Sequence, residues 1–322
     1  MTRLSCAVAF AVTLSHAAGA QTFPARTITM VVPFAAGGPN DTVARVLAEP
    51  MRAALGQPVV IENITGANGN IGVGRVARAA PDGYTVGVGS FNSHVVNGAV
   101  YTLSYDVLRD FEPVALLSTS TSIVVGKKTL AANTLAELIA WLKANPDKAL
   151  MGTPGVGSSV QVYSAFFQKL TGTRYQLVPY RGAAPAMQDL VAGQLDFGIE
   201  SPSTVLPQVQ GGLIKAYAVT AKRRLQAAPA IPTVDEAGLP GFYTASWYGT
   251  WVPKGTPREA IVKLNAAIAG ALNDPAVQAR FATFGQETVA RDMQSPEALR
   301  AWHKSEIEKW WPIIKAAGIK AE

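Results

Sequence analysis

Five short segments of this chain carry the residue types that could do chemistry: Phe34 to Asp41, Ser90 to His94, Thr153 to Ser159, Arg181 to Ala184 and Glu200 to Ser203. They are rich in glycine, serine, threonine and asparagine. The first is the clearest. In Phe34-Ala35-Ala36-Gly37-Gly38-Pro39-Asn40-Asp41 the paired glycines leave the backbone uncovered and permit positive φ, so successive N–H groups can point into one hollow. Asn40 or Asp41 can cap a helix that starts there, and a helix N-terminus carries about half a positive charge. Such a hollow favours an anionic oxygen. Taken alone, Gly37-Gly38 reads first as a plain strand-to-helix turn.

The elements around these segments decide between the two readings. Ile28 to Val32 is a short β-branched run that predicts a strand, and Val43, Val46, Leu47, Met51 and Ala54 recur at helical spacing behind the loop. The unit of strand, polar loop and helix recurs along the chain. Strands are predicted at 58–62, 84–89, 114–117, 123–125, 149–152, 175–178, 196–199, 215–220 and 246–252. Helices are expected over 135–142, 260–272, 276–284 and 296–316, with Asn145-Pro146 ending the first of these. The alternation predicts an α/β fold whose sheets are mostly parallel, flanked by helices and divided into two lobes. In open α/β sheets ligands collect beyond the carboxyl ends of strands, where all five segments fall. If the chain crosses near 105 and again near 220, residues 21–104 and 221–322 form one lobe and 105–220 the other. A ligand would then sit in the cleft between them.

The first twenty residues differ from the rest. Arg3 precedes an apolar core from Cys6 to Leu14, and Ala18-Gly19-Ala20 fits a cleavage site before Gln21, so a signal peptide and export to the periplasm are expected. The apolar run is too short to span a bilayer. Cys6 is the only cysteine, which leaves the mature chain without a thiol nucleophile or a cysteine metal ligand. Removing this segment takes Arg3 with it and leaves 27 basic against 22 acidic residues. The basic residues are scattered except for Lys222-Arg223-Arg224, with no basic and aromatic stripe of the kind nucleic acid requires.

Nucleotide and metal chemistry find no support. Gly69, Gly72 and Gly74 follow the second strand at the wrong spacing for a dinucleotide loop, and no phosphate-loop or H-E-x-x-H motif occurs. A hydrolase built on Ser90 and His94, with Asp41 nearby, is the enzymatic alternative, although the G-x-S-x-G elbow is missing. His303 lies among Trp302, Trp310 and Trp311, which reads as packing.

The same residues carry a resemblance. Val32 to Asp41 with Ala44-Arg45 resembles the first loop of Bug-type receptors, the periplasmic solute-binding proteins of tripartite tricarboxylate transporters. The likeness continues through Val60 to Asn63, Gly66 to Gly72, Pro81 to Thr85, Val178 to Ala186, Gly193 to Asp196, Pro232 to Gly238 and Pro253 to Pro257. It implies a two-lobed binding protein, not an enzyme, that needs no cofactor, works as a monomer and delivers a small carboxylate to membrane permease subunits. A di- or tricarboxylate is expected, including aromatic ones such as terephthalate; a receptor feeding a signalling system is an alternative. On this chain it places Phe34, Ala36, Gly37 and Gly38, with Asp41, at the ligand carboxylate. Ser90, Asn92 and His94 share that wall, and Thr153, Ser158, Ser159, Arg181, Ala183 and Glu200 face them. Two departures stand out: Glu200-Ser201 where such receptors often carry Asp, and Arg181 where Lys is common before the glycine. Phe34, Phe91 and Trp247 are candidates to flank a flat acid.

Overall fold

The computed structural model describes residues 22–155, 157–180 and 182–320, so the expected signal peptide and Arg181 lie outside the described residues. In chain order the first part runs β1 (Ile28–Val32), α1 (Pro39–Leu55), β2 (Val59–Asn63), α2 (Asn70–Ala77) and β3 (Thr85–Ser90). A π-helical turn (Asn92–Val96), α3 (Asn97–Val100) and β4 (Phe111–Thr121) complete it. The second part runs β5 (Ile123–Lys127), α4 (Leu135–Ala144), β6 (Leu150–Thr153), α5 (Ser159–Thr171) and β7 (Gln176–Pro179). It continues with α6 (Ala183–Val191), β8 (Phe197–Glu200), α7 (Pro202–Gln210) and β9 (Ile214–Val219). The chain returns through β10 (Ala245–Pro253), α8 (Arg258–Leu272), α9 (Pro275–Ala282), β11 (Glu287–Thr288) and α10 (Pro296–Ala316).

These strands make two sheets, ordered β11-β4-β10-β3-β1-β2 and β7-β6-β8-β5-β9. Each is mixed. β1 pairs in parallel with β2 and β3, and β6 with β7 and β8, as the alternating pattern predicts. The strands that carry the chain between sheets, β4, β5, β9 and β10, pair antiparallel. The first crossing therefore comes later than the sequence suggested. Residues 111–121, expected in the second lobe, form the long strand β4 of the first sheet, and Ser122 alone separates it from β5 of the second.

Helix α1 shows how the sequence builds the first lobe. Val43, Ala44, Leu47 and Met51 are fully buried in one cluster with Leu264 and Ile268 of α8 and Met30 of β1. Each large aliphatic side chain so buried contributes about 1.5–3 kcal/mol. Gly56, at φ 66°, ends the helix and returns its N–H to the Arg52 carbonyl.

An aromatic cluster joins the lobes: Phe91 stacks on Tyr163 of α5, and Trp310 of α10 packs edge-on against Phe91 and Phe166. Phe91 and Trp247 are thus core residues, both fully buried. Where the connecting strands meet, the Thr220 hydroxyl accepts from the Ser122 N–H (2.9 Å) and the Thr244 hydroxyl (2.9 Å) and donates to the Thr244 carbonyl (2.8 Å). A hydroxyl that ties three groups inside a buried junction cannot be replaced by a methyl without orphaning its partners. Thr220→Val is expected to lower unfolding stability by roughly 1–3 kcal/mol in urea titration; an unchanged midpoint and slope would contradict this view of the junction.

Candidate ligand-binding site

A cleft of about 400 Å³ opens between the two sheets. From the first lobe come Phe34, Asn40, Asn68, Ser90 and Asn92, with Ser246 and Tyr248 of β10. From the second come Ser158, Ser159, Ala183, Glu200 and Ser201, with Tyr163 behind them. Register explains the meeting. Ser90 ends β3 opposite Tyr248, and Glu200 ends β8 opposite Ile123, so the carboxyl ends of both sheets face the same space. At the rim the lobes touch, the Asn68 amide lying 3.5 Å from the Gly157 carbonyl.

Four helices begin on this cleft: α1 at Pro39-Asn40, α5 at Ser159, α6 at Ala183 and α7 just after Ser201. Three of them, α1, α6 and α7, have no side-chain cap, because Gly38 and Gly182 have none to offer and Ser201 bonds to the Ser203 and Thr204 hydroxyls instead. First-turn N–H groups have no partner inside their own helix. Their dipoles add positive potential where they converge. The described lining residues include no lysine, arginine or histidine. The cleft can hold an anion by peptide dipoles and hydroxyls without a cationic side chain.

Of the residues expected at the ligand, Phe34, Ser90, Asn92, Ser158, Ser159, Ala183 and Glu200 line the cleft. Thr153 stands behind the wall, its buried hydroxyl 3.0 Å from that of Ser158, which in turn accepts from the Gln161 N–H. The Gly37-Gly38 turn does not supply amides to the cleft. The Gly37 N–H donates to Asp41 Oδ2 at 2.8 Å and the Gly38 N–H to the Ala35 carbonyl, while Ala36, Gly37 and Asp41 border a separate recess between α1 and α9. Gly37 needs its glycine for another reason, a φ of 81°.

Asp41 is a structural anchor: it also accepts from Arg45 Nε (2.7 Å) and Asn63 Nδ2 (3.0 Å). Burial alone would raise its pKa, but the bonds from Arg45, the Gly37 amide and Asn63 outweigh burial and hold it down to about 2.

His94 is also off the cleft. Its ring stacks on Trp251 at 3.9 Å with Nδ1 3.0 Å from the Ser93 hydroxyl, and a Cβ on Gly89 would collide with it. Burial, then the nearby His303, depress its pKa, so it stays neutral. Ser90, His94 and Asp41 therefore do not form a triad. His303 packs in the same aromatic core, its Nε2 bonded to the His94 carbonyl.

Asn40, Asn68, Ser120, Ser122, Tyr163, Ser201, Ser246 and Tyr248 line the cleft without having been singled out as contacts. Asn68 had a readable signal, since Gly66 to Asn70 is another glycine-asparagine loop between strand and helix. It adopts φ 54°, held by Asn97, which bonds its carbonyl (2.8 Å) and side chain (3.0 Å). The buried Oδ1 of Asn92 has no donor.

A family model described as the tripartite tricarboxylate transporter family receptor matches residues 43–319. The chain belongs to that family. Among solved structures, the periplasmic binding protein BugD is 37% identical with TM-score 0.78, covering 93% of this chain and all of BugD. MatC from Rhodopseudomonas palustris, with bound malate, is 37% identical with TM-score 0.78, covering 91% and 100%. R. palustris Rpa4515, with adipate, is 33% identical with TM-score 0.80, covering 93% and 100%. The receptor is a two-lobed binding protein and not an enzyme.

The anchor gives a test with a sign. The depressed pKa of Asp41 contributes stability that is complete above its unfolded value near 4 and is lost as pH falls towards 2. Asp41→Ala should cost roughly 1–3 kcal/mol at neutral pH, and the gap to the parent should close on acidification to pH 2. A gap that stays constant would show that the carboxylate charge is not what matters.

Proposed function

We propose that this receptor captures a small dicarboxylate in its interlobe cleft and delivers it to the membrane permease of a tripartite transporter. It would act in the periplasm once the segment ending near Ala20 is removed. One observation carries the reading: uncapped helix starts on both walls converge on a space whose described lining has no basic side chain. A dicarboxylate fits two such walls because each carboxylate finds its own set of amides and hydroxyls, Asn40, Ser90 and Asn92 on one side and Ser159, Ala183 and Ser201 on the other. The malate and adipate in the related structures are of this class. Phe34, Tyr163 and Tyr248 supply the apolar surface between the ends and leave room for an aromatic diacid.

Ligand binding to the folded state should raise the melting temperature, with about 2.7 kcal/mol of stabilisation at a hundredfold excess over Kd. Malate, adipate and terephthalate are the first probes, with a neutral diol of similar length as control. Ser159→Glu is the matching variant. A carboxylate at the first position of α5 suits the helix dipole, so the fold should hold. The same charge enters the cleft and should abolish diacid binding. Equal shifts by the diol, or undiminished diacid binding by the variant, would reject the site.

A further inference from the structure

Glu200 is the one acidic side chain among the described residues that line the cleft, and its carboxyl makes no hydrogen bond to any described residue although Glu200 is only 7% exposed. The described residues that share a small recess with it are apolar: Gly152 of β6, Phe197 of β8, Ala186, Met187 and Leu190 of α6, and Leu195. In front stand the hydroxyls of Ser158, Ser159 and Ser201, and the first residue of α6. The other titratable groups on the described lining are Tyr163 and Tyr248, whose pKa values burial raises, so both stay neutral. Among the described residues an ionised Glu200 has no counter-ion and accepts no hydrogen bond, and burial pushes its pKa up to about 8.

This acid shares its wall with the N-termini of α5, α6 and α7, none of whose amides it accepts from. Those amides favour an anionic oxygen from the ligand. A charged Glu200 beside that oxygen would repel it, whereas a neutral carboxylic acid offers an O–H. We propose that Glu200 is a specificity-determining residue that receives one carboxylate of a dicarboxylate as a neutral acid, donating its O–H to a carboxylate oxygen, so that dianion and proton occupy the cleft together. The proposal rests on the carboxylate reading above and narrows it. Ligands bearing an ammonium at this end are disfavoured, since a neutral acid offers them no counter-charge.

Linkage fixes the direction of the effect. Below pH 8 the acid already carries its proton and binding moves few protons. Above pH 8 the free group is ionised, each bound dianion takes up one proton, and affinity falls as pH rises. Titration calorimetry with adipate and malate, both fully ionised from pH 6.5 upwards, can be run in two buffers of different ionisation enthalpy to count those protons. Affinity should fall roughly tenfold between pH 7 and pH 9, as the protonated fraction of an acid of pKa 8 does, with uptake approaching one proton at the upper end. Glu200→Gln keeps a donor without a titration. In this variant adipate affinity should lose its dependence on pH between 7 and 9, and binding should take up no proton.

Dicarboxylate binding by the parent that is pH-independent and proton-neutral would overturn the role of Glu200 and leave the carboxylate reading intact. So would proton release with affinity that rises towards pH 8. Failure of both diacids to bind at any pH would remove the carboxylate reading itself.

Discussion

Holding an anion away from water without a cation depends on peptide groups whose hydrogen bonds were never spent elsewhere. In this receptor that condition is met at helix starts. The residues preceding α1 and α6 are glycines, and the serine preceding α7 bonds to hydroxyls, so no side chain caps the first turn of these helices. Each charge-assisted hydrogen bond contributes roughly 1.5–3 kcal/mol, and micromolar affinity needs about 8 kcal/mol. A handful of such bonds is therefore enough, provided the lobes stay close. Fixed dipoles also recognise a carboxylate without dictating the rest of the molecule, which suits a family whose solved members hold acids as different as malate and adipate.

Keeping the lobes close falls to two further features. The junction of Ser122, Thr220 and Thr244 joins the connecting strands by hydrogen bonds, and the cluster of Phe91, Tyr163, Phe166 and Trp310 fills the space behind the cleft. Asn97 fixes Asn68 in a left-handed conformation that costs about 1–3 kcal/mol for a non-glycine residue. That backbone brings the Asn68 side chain to the opposite lobe at the rim.

Much of this was legible in the residues. Apolar runs alternating with helical spacing gave both sheets, and the polar loops at strand ends gave Ser90, Asn92, Ser159, Ala183 and Glu200 as neighbours. What the pattern could not give was where unspent hydrogen bonds end up. Gly37 carries the loop's most conspicuous signal, yet its amide is consumed by Asp41 four residues later. His94 follows two cleft residues closely, but a tight π-helical turn directs its ring inward against Trp251. The crossing near 105 was misplaced because a charged, turn-like stretch precedes β4 without leaving the first sheet, and strand partners are set by distant residues of β10.

The central claim is that carboxylates are gripped by peptide amides at facing helix starts. A crystal structure of the receptor with adipate tests this most directly. The account predicts one carboxylate within hydrogen-bonding distance of the amides at the start of α5, α6 or α7, and the other against Asn40, Ser90 or Asn92. Adipate bound instead in the recess between α1 and α9, or at Lys222 to Arg224, would contradict it.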